Sequence, residues 1–404
     1  MKQTNKLKIL NDPIYGFITI PSELIYDLLE HPYFQRLRRI SQLGLTYLVY
    51  PGAYHTRFHH ALGAMHLMEK AVRVLRTKGH AISASEEEAV LIAILLHDIG
   101  HGPFSHALEN SIIPGIHHEQ LSLDFMQDLN RQFDGKLKMA IEIFTNTYPQ
   151  KFLHQLISSQ LDMDRLDYLR RDSFYTGVSE GQVSTERLIS MLNVAEDSLV
   201  VDAKGIYSVE KFIVARRLMY WQVYLHKTVL SAEFLLIKIL QRAKEMYQSR
   251  MEMPAVLKPF ISGSYKNQNT SVIDSYAQLD DFDVMAAIKE WSHHSDAVLR
   301  QLCLRLLNRQ LLKVSMQNEP WSEEVIAEKR EAATKQLHLS TQDVSYLVFS
   351  EKVSNNAYNP ATNSINLLYK NGTLTDISLA ADQLNISALA KPVVKHFLFY
   401  PKGL

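Results

Sequence analysis

The feature that most constrains this chain is an apolar run that ends in two polar residues of metal-binding type. Residues 89–96 read Ala-Val-Leu-Ile-Ala-Ile-Leu-Leu and are followed at once by His97 and Asp98. Crossing a bilayer takes about 18 apolar residues, and this run is shorter. It therefore predicts a helix buried in a protein core. An unpaired carboxylate there would be costly, whereas imidazole and carboxylate are ordinary ligands of a divalent cation. We therefore expect a metal site at this helix end.

The amino-acid composition restricts the class of protein only loosely. The 404 residues contain 43 Lys plus Arg and 43 Asp plus Glu, which argues against a large basic surface for nucleic acid and against an acidic tail. The length allows roughly two or three domains of about 150 residues. Cys303 is the single cysteine and residues 1–5 lack the apolar stretch of a signal peptide, so we expect a cytoplasmic protein.

Two short helices are expected near the start of the chain. Ser22 can cap the first, and the second runs from about Tyr33 to Leu43 with Arg36, Arg38 and Arg39 along it. A solvated basic face is one reading of these arginines. The residues alone do not decide whether these arginines form such a face or have a functional role.

A cluster of histidines then precedes a helical pattern that starts at Ala61. His55, Arg57, His59 and His60 lie within six residues of one another. A lone histidine is usually a hydrogen-bonded polar residue. This cluster, however, could supply one metal ligand together with contacts to an anion.

The helix that leads to the His-Asp pair has clear boundary signals. Ser85 and Glu88 form a capping box at its start, and Gly100, Gly102 and Pro103 end it. Proline favours the first position of a helix, so a new helix is expected after Pro103.

Further histidines follow this boundary. His101 comes four residues after His97, and in a helix after Pro103 the side chains of His106 and Glu109 would be neighbours. A carboxylate beside a histidine orients the ring and raises its pKa, as a general acid or base requires. His118 follows one loop later.

Residues 158–172 form a second dense patch of polar residues. Asp164, Tyr168 and Asp172 fall four residues apart and so share one helix face. Such faces are usually solvent-exposed and paired in salt bridges. Asp164 could alternatively complete the ligand set that the histidines and Asp98 leave unfinished.

A long core helix is expected from Val209 to about Tyr247, because this stretch lacks proline and has a near-heptad apolar line. Arg216, Tyr220, Tyr224 and Lys227 lie on a neighbouring face. Cations interleaved with aromatic rings suit a phosphate next to a base or sugar. Partly buried cations and tyrosines at the edge of the core are the competing reading.

The pattern changes after about residue 315. Val344–Phe349 and Ile365–Tyr369 have the composition of strands, and Lys370–Thr373 has that of a hairpin turn. We expect a mainly α fold, with a helical core over residues 1–315 and a small α+β module over residues 316–404.

Several of these stretches resemble motifs of a known family, the HD superfamily, which is named for its His-Asp pair. The order of Arg57-Phe58-His59-His60, His97-Asp98 and Asp164 is similar to that of the superfamily. Within it, the chain resembles the deoxynucleoside triphosphate (dNTP) triphosphohydrolases, including the sterile-alpha-motif-linked enzyme and its bacterial relatives. That resemblance is carried by Asn11–Ile14, Phe34–Arg38, Gln42–Gly44, His97–His106 and Asp164–Tyr168, and covers residues from about 8 to 315.

The resemblance implies an HD-type helical fold, with the HD domain at about 50–180, and one divalent metal ion. The implied ligands are His60, His97, Asp98 and Asp164, and Mg, Mn, Fe, Ni or Zn would suit them. The implied reaction is hydrolysis of dNTPs to deoxynucleoside and intact triphosphate.

The resemblance also implies roles for other residues. His106 with Glu109 would transfer the proton, and His101 and His118 would contact the phosphate. The implied cations for the phosphate chain are Arg57, Arg165, Arg216 and Lys227. The implied sugar pocket consists of Gln42, Leu43, Tyr168, Asp172 and Tyr224.

The chain departs from the family pattern at two positions. His59 stands where relatives often have Glu, which puts the surroundings of the metal ligands in question. Tyr220 stands where the eukaryotic enzyme has His, which puts a base or phosphate contact in question.

Some relatives are activated by nucleotides bound between subunits. The residues that resemble such a regulatory site are Lys8, Asn11, Glu30, Gln35 and Arg38, with Glu30 as a guanine reader in place of Asp. A homo-oligomer, dimer or tetramer, with a nucleotide activator would follow. Ordinary salt bridges are the competing reading.

Two other functions compete with this one. An HD phosphodiesterase acting on cyclic nucleotides or monophosphates is the nearer, but many of those enzymes have Lys where this chain has His101, together with a Gly-Tyr-Pro motif that this chain lacks. A non-enzymatic nucleotide sensor is the other. Inactive members typically lose metal ligands, whereas all four are present here.

Overall fold

The structure is a computed structural model that describes residues 8–248, 251–267, 272–359, 364–380 and 392–404. It is mainly helical with a few small sheets, which confirms the expected fold class. The longer helices are α1 Glu23–Glu30, α3 Arg57–Thr77, α4 Ala84–Leu96, α6 His118–Gln132, α7 Lys138–Phe144, α8 Lys151–Ile157, α9 Met163–Thr176, α10 Thr185–Met191, α11 Ile206–Met219, α12 Lys227–Glu245, α15 Asp281–Trp291, α16 Ala297–Leu307 and α17 Glu323–Leu337. The shorter ones are α2 Pro32–Gln35, α5 Glu109–Ile112, α13 Lys258–Ser262, α14 Val272–Tyr276, α18 Thr341–Val344 and α19 Ile377–Ala380.

The strands form three small sheets. Their bounds are β1 Ile9–Asp12, β2 Gly16–Thr19, β3 Leu192–Ala195, β4 Ser198–Asp202, β5 Lys313–Gln317, β6 Phe349–Asn355, β7 Asn366–Leu368, β8 Leu374–Asp376 and β9 Val393–Tyr400. β1 and β2 form a hairpin, and the other two sheets have the orders β3-β4-β7-β8 and β5-β9-β6. Within the described ranges, the helices lack the combination of length and apolar character that crossing a membrane would require.

Three helices build the centre of the fold. α3 packs against both α4 and α9. The residues of α4 from Ala89 to Leu96 are buried all round, as the apolar run predicts. A Cβ atom added to Gly63 of α3 would lie 2.0 Å from Oδ1 of Asp167 on α9, so glycine is what lets the two helices approach so closely.

The start of α4 differs from the prediction. Ser83, not Ser85, caps the helix: its hydroxyl accepts from the Glu86 amide at 3.2 Å, and the Glu86 carboxylate accepts from the Ser83 amide at 2.7 Å. Glu86 also accepts from the Tyr148 hydroxyl at 2.8 Å. The sequence contains two overlapping Ser-x-x-Glu boxes, and the one with a tertiary partner forms the cap.

The prediction of a single helix over Val209–Tyr247 is wrong. α11 ends at Met219, a π-helical turn follows over Tyr220–Tyr224, and α12 begins at Lys227. The His226 ring caps α12 by accepting from the Thr228 amide at 3.2 Å. The widened π-helical turn keeps apolar residues buried both before and after the break between α11 and α12. The apolar periodicity of the sequence therefore gives no sign that the helix is interrupted.

The helix expected over Tyr33–Leu43 is also shorter than predicted. α2 ends at Gln35, a 3-10 turn covers Arg36–Arg39, and Ser41 pairs with Thr56 in a β-bridge. The reason lies in Arg36, whose fully buried guanidinium binds main-chain carbonyls of other segments.

The C-terminal residues contribute to two different sheets. β7 and β8 form the hairpin that the turn at Lys370–Thr373 predicts, and β7 pairs in parallel with β4. β5, β9 and β6 form the antiparallel sheet. The strand expected over Val344–Phe349 begins only at Phe349, because Ser340 caps α18 and the apolar residues between them are buried in a turn. The division of the chain at residue 315 stays a prediction.

Candidate functional site

A cavity of about 470 Å³ lies beside the junction of α3, α4 and α9. Its volume falls in the range of small-molecule sites, about 300–1,000 Å³. The residues that line it are Gln42, Leu43, Gly44, Thr46, Arg57, Asp98, His101, Phe104, Ser105, Ala107, His118, Asp164, Arg165, Tyr168, Asp172, Tyr220, Tyr224, Leu225, Leu230 and Glu233. Segments far apart in the sequence therefore meet here, and most of the predicted site residues are among them.

The four expected metal ligands converge at the edge of this cavity, where Asp98 and Asp164 line it and His60 and His97 contact both carboxylates. Nε2 of His60 lies 3.0 Å from Oδ1 of Asp164 and 3.6 Å from Oδ2 of Asp98. Nε2 of His97 lies 3.4 Å from a carboxylate oxygen of each of the same two residues. These side chains come from α3, from the residues just after α4, and from the first turn of α9.

The donor set fits a divalent cation. Nε2 of His60 and Nε2 of His97 are buried and have no hydrogen-bond partner of acceptable geometry, although each faces carboxylates. Burial disfavours the charged ring, yet Asp164 and Asp167 raise the pKa of His60 to about 10. The cluster thus stabilises positive charge at this point. Two nitrogens and carboxylate oxygens are suitable ligands, with room in the cavity for water or a substrate oxygen.

A chain of ion pairs orients the His60 ring from behind. Nδ1 of His60 lies 2.8 Å from Oδ2 of Asp167. Arg171 donates from Nε to the same carboxylate at 2.9 Å and from Nη1 to Asp12 at 2.8 Å. Burial opposes ionisation of Asp167, but Arg171 and His60 lower its pKa to about 2. Such partners fix the tautomer of a ligating histidine.

The other ligating ring is oriented by the main chain. Nδ1 of His97 lies 2.6 Å from the carbonyl oxygen of Ile94. A carbonyl only accepts, so Nδ1 carries the hydrogen and the Nε2 lone pair points into the cluster.

Sequence reasoning did not single out Asp12, Asp167 or Arg171 for this role. The available signal was the i, i+4 spacing of Asp167 and Arg171 on the same helix as Asp164.

Two of the predicted phosphate-binding cations line the cavity. Arg57 binds the Asp98 carboxylate and donates from Nε to the Ser105 hydroxyl at 2.8 Å. Arg165 binds Asp162, the N-cap of α9, and its buried Nε has no hydrogen-bond partner. Both guanidinium groups are therefore held near the metal cluster by carboxylates.

The other two cations are not among the residues that line the described cavity. Arg216 donates to the Gln160 side chain at 3.0 Å and lies over the Tyr220 ring, 5.9 Å from its centroid. Lys227 is exposed at the first residue of α12. Their roles in phosphate binding stay predictions.

Histidines form a second group next to the cluster. The His101 and His118 rings stack with centroids 3.9 Å apart, and Nε2 of His101 lies 3.3 Å from Oδ1 of Asp98. Nδ1 of His118 lies 2.5 Å from Oε1 of Glu109. The carboxylate expected beside His106 thus contacts His118. The His106 side chain lies outside the described residues, so its pairing with Glu109 stays a prediction.

A Tyr-Asp-His triplet forms another wall of the cavity. The Tyr224 hydroxyl donates to Oδ2 of Asp172 at 2.8 Å, and Nε2 of His55 lies 2.7 Å from Oδ1. Tyr168 packs edge-on against Tyr224, with ring centroids 6.2 Å apart. The histidine cluster before α3 thus has divided roles: His55 holds Asp172, His60 faces the metal cluster, and His59 completes the capping box of α3.

Two residues that sequence reasoning did not select hold the loops of the site. Arg36 donates to the carbonyl oxygens of Ile99 at 2.8 Å and His101 at 2.9 Å. The Asp281 carboxylate accepts from the Ser41 amide at 2.8 Å and from the Phe104 amide at 2.7 Å. Both lie outside the dense polar patches, so nothing in the local pattern distinguishes them.

The residues suggested for regulation fall into two groups. Arg38 donates to the Gln35 side chain at 2.9 Å, and the charge of Glu30 opposes the burial that lowers the pKa of Arg38. Lys8 contacts Tyr26, with its Nζ 3.9 Å from the ring centroid, and Asn11 is exposed on β1. The described contacts do not join the two groups.

Comparison with known proteins agrees with this geometry. Residues 57–172 match the model of the HD domain, and residues 183–258 match that of an HD-associated region. The Bacillus subtilis protein YwfO is 35% identical over 98% of this chain and 93% of its own length. A Dictyostelium discoideum homologue of the deoxynucleoside triphosphate triphosphohydrolase SAMHD1 is 32% identical over 57% of this chain and 48% of its own length.

A solved structure is similar along almost the whole chain. The crystal structure of a phosphohydrolase from Bacteroides thetaiotaomicron has 50% identity and a TM-score of 0.94, covering 98% of this chain and 100% of that one. The matched HD domain spans all four candidate metal ligands, from His60 to Asp164. The chain therefore belongs to the HD superfamily of phosphohydrolases.

Proposed function

We propose that this phosphohydrolase acts on deoxynucleoside triphosphates, releasing the deoxynucleoside and intact triphosphate. The observation that carries the proposal is that one cavity is bordered by Asp98 and Asp164 of the candidate metal cluster, by Arg57 and Arg165, and by the Asp172–Tyr224 pair, with His60 and His97 directly behind Asp164. A nucleotide needs these three kinds of group at once: a cation for the reacting phosphate, guanidinium donors for its charge, and a polar wall for the sugar.

His60, His97, Asp98 and Asp164 would hold one divalent ion. When bound, such an ion polarises a phosphoryl oxygen and lowers the pKa of a coordinated water. HD domains bind divalent metals, which supports this assignment.

The reaction exchanges one bond at the α-phosphorus. A water oxygen bonds to that phosphorus, the bond to the nucleoside 5′ oxygen breaks, and the 5′ oxygen takes up a proton to leave as the hydroxyl. The water oxygen stays in the triphosphate. We assign the proton transfer to His106 with Glu109.

The remaining cavity residues orient the substrate. His101 and His118 would donate to the α-phosphate, and Arg57 and Arg165 would neutralise the phosphate chain. Both oxygens of Asp172 already have donors in His55 and Tyr224, so this carboxylate is held rigidly. A rigid wall beside Gln42 and Leu43 would disfavour a 2′-hydroxyl that finds no partner.

We also propose that the protein is a homo-oligomer activated by a nucleotide at Lys8, Asn11, Glu30, Gln35 and Arg38. The proposal rests on the resemblance of these residues to the regulatory site of relatives; Gln35, Arg38 and Glu30 lie near one another, whereas no described contact joins them to Lys8 and Asn11. Turnover that rises with added GTP or dGTP is the expected result. Turnover that stays proportional to enzyme and indifferent to added nucleotide would contradict it.

The proposed reaction is tested by incubating the purified protein with each dNTP, each ribonucleoside triphosphate and a set of cyclic dinucleotides, with Mg²⁺ or Mn²⁺. Chromatography of the products should show deoxynucleoside and triphosphate from dNTPs. Release of orthophosphate or pyrophosphate, or cleavage of cyclic substrates alone, would contradict the proposal. The variant His97→Ala serves as the blank for contaminating phosphatases.

A further inference from the structure

One carboxyl group of the cavity has no task in the reaction described above. Glu233 lies on α12 and lines the cavity three residues after Leu230, so the two side chains share a helix face. Leu225, Phe104 and Leu43 line the cavity as well. The lining of the cavity thus includes several apolar side chains together with the Glu233 carboxyl.

The Glu233 carboxyl lies near Gly44, on the loop that follows Gln42 and Leu43. A Cβ atom placed on Gly44 would lie 3.7 Å from Oε1 of Glu233 and 3.1 Å from the carbonyl oxygen of Phe104. Gly44 has a φ of +49°, so a larger residue there is strained as well as crowded. Two hydrogen-bond acceptors, a carboxyl and a main-chain carbonyl, thus converge next to Gln42 and Leu43.

Within the described part of the chain, the Glu233 carboxyl has neither a hydrogen-bond donor nor a cation as its partner. Burial alone raises its pKa to about 8. The Glu233 side chain is half-buried at the cavity wall, and a carboxyl group that loses part of its water without gaining a partner is unfavourable for the fold. Such a group is explained if a ligand supplies the missing donors.

We propose that Glu233 selects the nucleobase of the substrate, by accepting hydrogen bonds from the N1–H and the 2-amino group of guanine. The inference rests on the proposed dNTP hydrolysis and adds a base preference to it. Leu230, on the same helix face, and Leu43, next to Gly44, line the cavity with Glu233 and suit the faces of a planar base, while the carboxyl suits one polar edge.

Guanine is favoured over the other bases by its pattern of donors. Its N1–H and 2-amino group are adjacent donors, which match the two acceptor oxygens of an ionised Glu233 carboxylate. Guanine binding therefore releases to water the proton that burial retains on this group. Adenine and cytosine offer one donor beside one ring-nitrogen acceptor. Thymine offers one N–H between two carbonyl oxygens, which a carboxylate repels.

The test compares dGTP with dITP, which differs from it only by the absence of the 2-amino group. We expect the native protein to hydrolyse dGTP with a kcat/KM at least about tenfold higher than dITP, the discrimination typical of a paired hydrogen bond. In Glu233→Gln the preference should disappear through a higher KM for dGTP, because the amide presents a donor towards one of the guanine donors. Turnover of dTTP should be retained, which separates this loss from misfolding.

The matched control is Glu328→Gln, the same chemical change at an exposed position of α17. It should keep the native ratio of dGTP to dITP. Equal kcat/KM values for the two substrates in the native protein, or an unchanged ratio in Glu233→Gln, would overturn the assignment of Glu233 while leaving dNTP hydrolysis intact.

Measuring nucleotide binding in the absence of turnover distinguishes the base preference of Glu233 from the proposed dNTP hydrolysis. Calorimetric titration of the metal-free protein with dGTP and dITP should show tighter binding of dGTP, and Glu233→Gln should bind both equally. Absence of dNTP hydrolysis with every metal tried would overturn the proposed function. Equal binding of the two nucleotides by the native protein would overturn the base assignment.

Discussion

Nδ1 of His60 lies 2.8 Å from Oδ2 of Asp167, and this contact fixes which nitrogen of the ring can face the metal cluster. A carboxylate only accepts, so Nδ1 carries a hydrogen, and Nε2 is the nitrogen that faces Asp164 and would give up its proton to bind the metal. Arg171 in turn holds Asp167 with two hydrogen bonds of 2.9 and 3.0 Å. Asp167 and Arg171, which do not face the metal themselves, thus set the orientation of the His60 ligand.

We predict that Asp167→Asn lowers metal affinity by about 10–100-fold, the usual cost of losing such a partner. The amide can accept from Nδ1 but no longer supplies the charge that favours a cation at the ring. Calorimetric titration with Mn²⁺ measures the effect. Asp27→Asn, at an exposed position of α1, should leave the affinity unchanged. An Asp167→Asn protein with native affinity would show that the ion binds elsewhere.

Two variants should distinguish the role of a metal ligand from that of the proton-transfer residue. We expect His97→Ala to lose both bound metal and turnover, because a ring that faces both ligand carboxylates is removed. We expect His106→Ala to keep the metal and lose rate, by about 100-fold or more, as is usual for a general acid or base. Elemental analysis of each protein, alongside its kcat, makes the comparison. Full activity in either variant would refute the role given to that residue.

The loops around the cavity are predicted to depend on Asp281. Phe104 and Ser105 have positive φ values of 54° and 55°, a conformation that costs non-glycine residues about 1 kcal/mol or more each. The Asp281 carboxylate offsets this by accepting from the Phe104 and Ser41 amides. In Asp281→Ala the loops should relax, so kcat should fall about tenfold or more while the metal is retained.

A graded series checks this interpretation of Asp281. Asp281→Asn keeps one acceptor oxygen and should give an intermediate kcat. If both variants instead lose metal in proportion to activity, the residue supports the metal site and not the loops.

Much of the metal site could be read from the sequence because its ligands lie in short, dense patches. His97 and Asp98 follow a helix that is buried on every side, and Asp164 begins a helix whose polar face has a regular four-residue spacing. For His60, residue patterns alone narrowed the choice to a cluster, and resemblance to a family selected it.

What the sequence could not predict depends on contacts between distant segments. The residues left open whether Arg36 belongs to a solvated basic face, and the structure buries its guanidinium against carbonyls more than 60 positions away. The break between α11 and α12 leaves the apolar periodicity intact, so no local signal marks it. Glu233 lies in an ordinary amphipathic helix, and only the tertiary fold brings it to the cavity beside Gly44.

The raised pKa of Glu233 predicts a specific dependence of stability on pH. Burial raises that pKa to about 8, so the folded protein retains a proton that the unfolded chain has lost above about pH 4.5. Stability contributed by the protonated group is therefore lost as the pH rises towards 8. Between pH 6 and pH 9 this group should remove about 2–3 kcal/mol of the free energy of unfolding.

Urea denaturation of the native protein and of Glu233→Gln at the two pH values tests this prediction. The variant, which cannot ionise there, should lose less stability than the native protein over the same interval. Parallel losses in the two proteins would show that Glu233 is ionised at neutral pH in the folded state.

The measurement that tests the central claim most directly is hydrolysis of dGTP in ¹⁸O-labelled water, with both products analysed by mass spectrometry. Attack of water at the α-phosphorus predicts intact triphosphate that carries one labelled oxygen, together with unlabelled deoxyguanosine. Label in orthophosphate or pyrophosphate, or in the 5′-hydroxyl of the nucleoside, would contradict the proposed reaction.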